Sequence, residues 1–163
     1  MDVCLEVVSP DKKYIIENMF KYYVYDMSEF TKWGPNACGE FGFPPHVLEP
    51  YWNEADHIPY FITVDGDIAG FLLLRKYPSN PNLWDIGQFF ILRKYKGRGV
   101  GKLALKTVVS MHLGDWQVRV LQENSGALCF WRSAIRSLVG EDFTYGLEQD
   151  VDLEMHFLRF KVT

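Results

Sequence analysis

The chain is poor in cysteine, in net positive charge and in long apolar runs, and each shortage removes a class of protein. Its three cysteines, Cys4, Cys38 and Cys129, lie far apart in 163 residues. That spacing builds neither a zinc ligand pattern nor a disulfide framework. The four histidines, His46, His57, His112 and His156, add no metal-ligand spacing, so no metal is expected. The net charge is −4. Phosphate backbones are bound by basic surfaces, so nucleic acid is not an expected partner. The longest apolar stretches, such as Ile68 to Leu74, fall far short of the ~20 residues that span a bilayer, so no membrane is expected either. The N-terminus, Met1-Asp-Val-Cys-Leu-Glu6, lacks the basic and then apolar regions of a secretory leader. With few, unpaired cysteines, this points to a reducing cytoplasm. There is no internal repeat, low-complexity tract or linker, so residues 1–163 are expected to form one domain.

What the chain does have is apolar and aromatic mass: 48% of residues are hydrophobic and 16% aromatic, enough to build a core. Leu5 to Val8 reads as a first strand. Ser9-Pro10 then reads as a helix start, and Ile15, Ile16, Met19, Phe20, Tyr23, Val24 and Met27 recur at helical spacing up to about Phe30. Thr31 to Pro50 is rich in Gly, Pro and aromatics without a period, and predicts a long loop, with a short helix near Val47 to Trp52. Tyr60 to Val64 and Ile68 to Arg75 predict a hairpin turning at Asp65-Gly66, a dipeptide suited to positive φ. A strand over Asp85–Leu92, a helix over Gly99–Leu113, a strand over Trp116–Leu121 and a helix over Ser125–Ser137 follow. Two strands, Phe143–Gly146 and Glu154–Val162, close the chain. The order predicts a mixed α/β domain: one central, mostly antiparallel sheet flanked by helices.

Chemistry concentrates between the predicted strand at Asp85 and the helix at Gly99. Arg93 to Lys102 hold five of the seventeen basic side chains and three glycines, Gly97, Gly99 and Gly101. Glycines let main chain approach a ligand closely, and the free N–H groups of a helix start favour an anion. Together they predict a pyrophosphate-binding turn. A P-loop is excluded, because Leu103 follows Gly101-Lys102 and Lys96 stands where the first glycine is required. Gly99-x-Gly101-x-x-Ala104, with Glu123 about 20 residues on, also fits a dinucleotide fingerprint, but only one strand–helix–strand unit is visible.

Lys96-Gly97-Arg98-Gly99-Val100-Gly101 resembles the coenzyme A signature of the GCN5-related N-acetyltransferase (GNAT) family, Gln/Arg-x-x-Gly-x-Gly/Ala, with Lys96 at the Gln/Arg position. Asn124-Ser-Gly-Ala127-Leu-Cys-Phe130-Trp131 resembles that family's second motif, Asn-x-x-Ala-x-x-Phe/Leu-Tyr. Element order is similar over nearly the whole chain, residues 31 to 58 being least typical. The resemblance implies an acyl-CoA N-acyltransferase fold and an enzyme that carries acetyl from acetyl-CoA, its cosubstrate, to an amine. It implies that the fourth and fifth strands splay around the pantetheine arm. Main chain of Phe89, Phe90, Ile91 and Leu92 would pair with that arm, with Ile91 central. The N–H groups from Lys96 to Lys102 would hold the pyrophosphate. Asn124, Ala127 and Phe130 would line the opposite wall.

For the base that frees the amine, the resemblance points to Asp85, with Glu123 and Glu29 as alternatives. For the acid that serves the departing thiolate, Trp131 replaces the family's tyrosine and cannot give up a proton. Tyr95, Tyr145 and Cys129 are the candidate stand-ins. The acceptor side, from the first helix into the loop, holds the aromatics Tyr22, Tyr23, Tyr25, Phe30, Trp33, Phe41, Phe43, Tyr51 and Trp52 beside Asp26 and Glu29, which suits a cationic amine. As partners the resemblance implies a small-molecule or peptide amine, and pairing into a homodimer is left open. Two other readings remain: an acyl-CoA-binding module without catalysis, favoured by Trp131, and a nucleotide-dependent oxidoreductase built on Gly99 to Ala104.

Overall fold

The computed structural model describes residues 1–163. Seven strands form one sheet: β1 (Val3–Val7), β2 (His57–Val64), β3 (Asp67–Tyr77), β4 (Asn80–Ile91), β5 (Gly114–Leu121), β6 (Phe143–Asp150) and β7 (Leu153–Val162). Their order across the sheet is β1-β2-β3-β4-β5-β7-β6. Every neighbouring pair is antiparallel except β4 and β5, which run parallel. Four α-helices accompany the sheet: α1 (Lys13–Thr31), α2 (Pro50–Asn53), α3 (Val100–Met111) and α4 (Ser125–Val139). None is long and apolar enough to cross a membrane.

Local chemistry explains most boundaries. The β2–β3 hairpin turns at Asp65 (φ 52°) and Gly66 (φ 87°), both positive as expected. The first helix ends where Lys32 adopts a left-handed conformation, ahead of Gly34-Pro35. The second long helix begins after Gly99 (φ 82°), and α4 is capped by Asn124, whose side chain accepts a hydrogen bond from the Ala127 N–H at 3.0 Å. The boundary furthest from expectation is the start of the fourth strand. The fourth strand starts at Asn80, not at Asp85, because Tyr77 and Asn80 close a hairpin around Pro78-Ser79. Asn80-Pro81-Asn82 has turn-like composition: Asn80 pairs with Tyr77, Pro81 and Asn82 bulge from the ladder, and pairing to β3 resumes at Trp84 opposite Lys76, which puts Asp85 in the middle of the strand.

The sheet separates two cores. On one face, α3 and α4 cover a cluster of 21 buried residues around Leu72, Leu74, Trp116, Ile135 and Leu158. On the other, α1 and α2 cover a cluster of 11, with Ile16, Met19, Phe20 and Val24 forming the buried stripe of α1. Strand alternation divides neighbours between the faces. Phe89 packs toward α4, against Trp131 at 4.9 Å, whereas Phe90 packs toward α1, against Tyr23 at 5.7 Å.

Close approach of β3 and β4 depends on Gly70. A β-carbon there would lie 1.9 Å from the carbonyl oxygen of Phe90. Gly70→Ala must push β4 away at Phe90. The expected cost is about 2–3 kcal/mol, read as a lowered urea midpoint with an unchanged slope.

Candidate active site

The site begins where two strands part. Parallel pairing of β4 and β5 covers only Leu83↔Asp115 to Ile86↔Val118. Beyond it β4 continues to Ile91 bound to β3 alone, while β5 continues to Leu121 bound to β7. The parting coincides with a bulge. Leu73 pairs with Gln88 and Leu74 with Ile86, so Gly87 is an extra residue in β4. Tyr51 fills the space beside it: a β-carbon on Gly87 would sit 2.3 Å from the Tyr51 hydroxyl. Past the bulge, the Leu92 N–H donates to Ala69 O of β3 at 2.8 Å. Strand alternation then turns the N–H groups of Phe89 and Ile91 to the open edge.

The glycine turn closes one end of this gap. After Ile91 the chain makes a short 3₁₀ turn, Arg93–Tyr95, and enters α3 through Gly97 (φ 74°) and Gly99 (φ 82°). Within the protein, no hydrogen bond uses the N–H groups of Gly97, Arg98, Gly99, Val100, Gly101 or Lys102, the first turn being closed by Leu103 N–H to Gly99 O at 3.1 Å. Such a row, at a helix start and beside basic side chains, suits an anion. The Lys96 N–H is the exception to the expected set, because it donates to Arg93 O. The Lys102 ammonium is also engaged, with the Ser133 hydroxyl at 2.8 Å.

The two sequence motifs meet in space. A β-carbon on Gly101 would stand 2.8 Å from the Phe130 ring, so glycine lets α3 close on α4. Trp131, 6% exposed, packs edge-on to Phe89 and Phe130, both at 4.9 Å. A cleft of about 770 Å³ follows. Its floor is Phe89 to Ile91, one end is the turn from Lys96 to Lys102, one wall is Asn124, Ala127, Phe130 and Trp131, and the facing wall is Tyr23, Asp26, Met27, Glu29 and Phe30 of α1.

The residues expected to move protons scatter. Tyr95 lines the cleft, with its ring buried and Lys94 and Arg98 against it. Tyr145 lies outside it on β6, half-exposed and stacked on His156. Neither Cys129 nor Glu123 lines the cleft, but Glu29 does. Asp85 lies away from it, fully buried. Its carboxylate accepts from Arg75 Nε at 2.9 Å, Arg119 Nε at 3.0 Å and Nη2 at 3.1 Å, and Gln117 Nε2 at 3.1 Å. Burial alone would lower the Arg119 pKa, but the charges of Asp85 and Asp150 override it and hold that guanidinium charged. The carboxylate expected to be a base is therefore the hub of a buried ion-pair network at the root of the splay.

A different hydroxyl sits at the open edge. The ring of Tyr23 lines the cleft, and its buried hydroxyl lies beside the Phe89 N–H. Burial pushes its pKa up to about 12, so it stays a protonated donor through the neutral range. The sequence marked Tyr23 as one of several acceptor-side aromatics. Its place at the strand edge depends on how α1 crosses β4, which carries no local signal.

This sheet order, with one parallel pair that splays beside a glycine turn, defines the acyl-CoA N-acyltransferase fold. A single parallel pair also leaves the dinucleotide reading without the repeated βαβ halves it needs. The sequence model of the acetyltransferase (GNAT) family matches residues 24–133, and the chain belongs to that family. Solved structures agree. An acetyltransferase from Thermus thermophilus superposes with a TM-score of 0.72 at 13% identity, covering 99% of this chain and 98% of that one. A GNAT-family acetyltransferase from Staphylococcus aureus gives 0.66 at 12%, covering 99% and 100%. A Bacillus anthracis protein assigned as a streptothricin acetyltransferase, solved with acetyl coenzyme A, gives 0.51 at 20%, covering 69% and 66%. No curated protein shows significant sequence similarity to the chain.

The Asp85 network makes a stability prediction. Asp85→Asn removes one anion from between two guanidinium groups and should cost about 3–5 kcal/mol in urea unfolding. Acetyl-CoA affinity of the folded fraction should be unchanged.

Proposed function

We propose that the protein transfers the acetyl group of acetyl-CoA to a primary amine, by direct attack within a ternary complex. The observation that carries this reading is the open edge of β4, which meets a row of free N–H groups on one side and an acidic, aromatic helix on the other. The residues present fit acetyl-CoA. The N–H groups of Gly97 to Lys102 suit its pyrophosphate, the edge at Phe89 and Ile91 suits an amide-bearing arm, and Ala127 and Phe130 offer an apolar flank. Acetyl-CoA supplies the activated acyl group, and the protein's part is to position and to manage protons.

An amine near pKa 10 arrives mostly protonated and must lose a proton. Glu29 is the candidate acceptor of that proton. It lines the cleft, is exposed, and makes no hydrogen bond or ion pair, whereas Asp26 beside it is bound to Arg93 at 2.8 Å. The amine nitrogen bonds to the acyl carbon, and negative charge builds on the carbonyl oxygen. The N–H groups at the β4 edge lie where donors for that oxyanion are needed. As the C–S bond breaks the nitrogen releases its second proton to solvent, and the thiolate leaves as a thiol near pKa 8.5 after gaining a proton. Trp131 cannot supply it. The Tyr23 hydroxyl, at the same edge, donates a hydrogen bond to the departing sulfur, and the proton itself comes from solvent.

These roles separate by their pH dependence. Glu29→Gln should lower kcat/KM about 10²-fold below pH 8, with partial recovery at pH 9 to 10 where more amine is neutral. Tyr23→Phe should lower kcat at all pH values, with little change in the Kd for acetyl-CoA. Steady-state thiol release over a pH series checks both, and a flat Glu29→Gln ratio would remove Glu29 as base. The turn is tested by Gly99→Glu. No atom lies within 4 Å of a β-carbon there, so the fold should survive the strain of its positive φ while coenzyme A binding is lost by calorimetry. Acetyl-CoA binding with no thiol release for any amine would favour the acyl-CoA-binding module instead, the reading that Trp131 keeps open.

A further inference from the structure

Beside the cleft lies a second cavity of about 490 Å³, between α1 and the loop that follows it. The two cavities share Tyr23 and Met27 as a common wall. Gln88 of β4, next to the Phe89 floor of the first, closes the second. The two differ sharply in chemistry. Both carboxylates of the acceptor side, Asp26 and Glu29, line the first cavity. No charged side chain lines the second.

Its walls are rings and aliphatic groups: Phe20, Trp33, Phe41, Phe43 and Val47, with Tyr23 at the junction. A cage of ring faces for a cation is not what they form. Phe20 sits edge-to-face with Phe43 at 4.7 Å and stacks on Phe71 at 5.7 Å, and Phe41 meets Tyr25 edge-to-face at 5.3 Å. Much of the ring surface is already spent on other rings. A second ammonium placed here would lose its hydration with no anion to replace it. One polar group is on offer, the Gln88 side-chain amide. The volume is that of a small-molecule site.

We propose that this second cavity receives the uncharged, aromatic or branched-aliphatic body of the acceptor, a primary monoamine whose single amino group reaches past Tyr23 and Met27 into the cleft. This deepens the transfer reading above and rests on it. It also replaces the expectation of a cationic acceptor. In the first cavity Glu29 is the carboxylate left to meet the one reacting amine, Asp26 being paired with Arg93, and nothing in the second cavity is placed to meet another positive charge.

The test compares 2-phenylethylamine, spermidine and an alanyl peptide as acceptors, by thiol release from acetyl-CoA. 2-Phenylethylamine should show a kcat/KM at least about tenfold above the other two, a ratio within reach of apolar pocket contacts. Gly42 lines the cavity, has no atom within 4 Å of a built β-carbon, and does not have positive φ, so it accepts a side chain. Gly42→Leu should raise the KM for 2-phenylethylamine about tenfold or more, with the Kd for acetyl-CoA unchanged. A second variant, Phe41→Asp at the half-buried rim, should lower the 2-phenylethylamine to spermidine ratio about tenfold. If spermidine or the peptide is the better acceptor, or if neither variant moves KM or the ratio, the inference is overturned while the transfer reading stands. If acetyl-CoA binds and no amine is turned over, both fall together.

Discussion

Two parallel strands that pair briefly and then part are the constraint on which the rest depends. Pairing across β4 and β5 ends at Ile86↔Val118, and what lies beyond is a strand edge whose main-chain donors pair with no other main chain. An unused edge inside a domain is costly unless solvent or a ligand satisfies it. The fold keeps it open from several sides. The extra residue at Gly87 bends β4 away, with the Tyr51 hydroxyl packed against it. At the root of the fork, the carboxylate of Asp85 gathers Arg75 from β3 with Gln117 and Arg119 from β5, so the strands are pinned where they must stay together. Above it, the Phe89, Phe130 and Trp131 rings prop the gap.

On the proposed mechanism, the indole at Trp131 is compensated from across the cleft. Trp131 is packed into the wall, and the hydroxyl at the strand edge comes from the opposite side, from Tyr23. Its high pKa makes it a donor of hydrogen bonds more than a strong acid. That is enough for a thiolate, which is a fair leaving group without much help. Tyr23 also stands between the two cavities, so one residue would contact both the reacting centre and the body of the acceptor.

The sequence revealed the part of the site that is local. The turn from Lys96 to Lys102 and the helix start at Asn124 are written in consecutive residues whose chemistry does not depend on distant partners, and both have the form the residues predict: glycines at positive φ and an asparagine cap. Phe89 and Phe90 alternate between faces, as neighbours in any strand do. What was not legible is non-local. Asp85 looked like a strand-end carboxylate because Asn80-Pro81-Asn82 has the composition of a turn, and its partners come from positions 75, 117 and 119 through sheet pairing. Similarly, the mix of aromatics and carboxylates from Tyr22 to Trp52 read as one cationic pocket. In space α1 separates them, turning Asp26 and Glu29 to one cavity and Phe20 and Val24 to the other.

On the proposed function, acetyl-CoA binds along the open edge of β4 and the glycine turn. Amide hydrogen exchange with and without coenzyme A measures this most directly. The amides of Phe89 and Ile91 and those from Gly97 to Lys102 should slow on binding, while Leu92, already bonded to Ala69, should not change. Saturating binding that leaves Phe89, Ile91 and the turn unprotected, or that protects amides elsewhere in their place, would contradict the account.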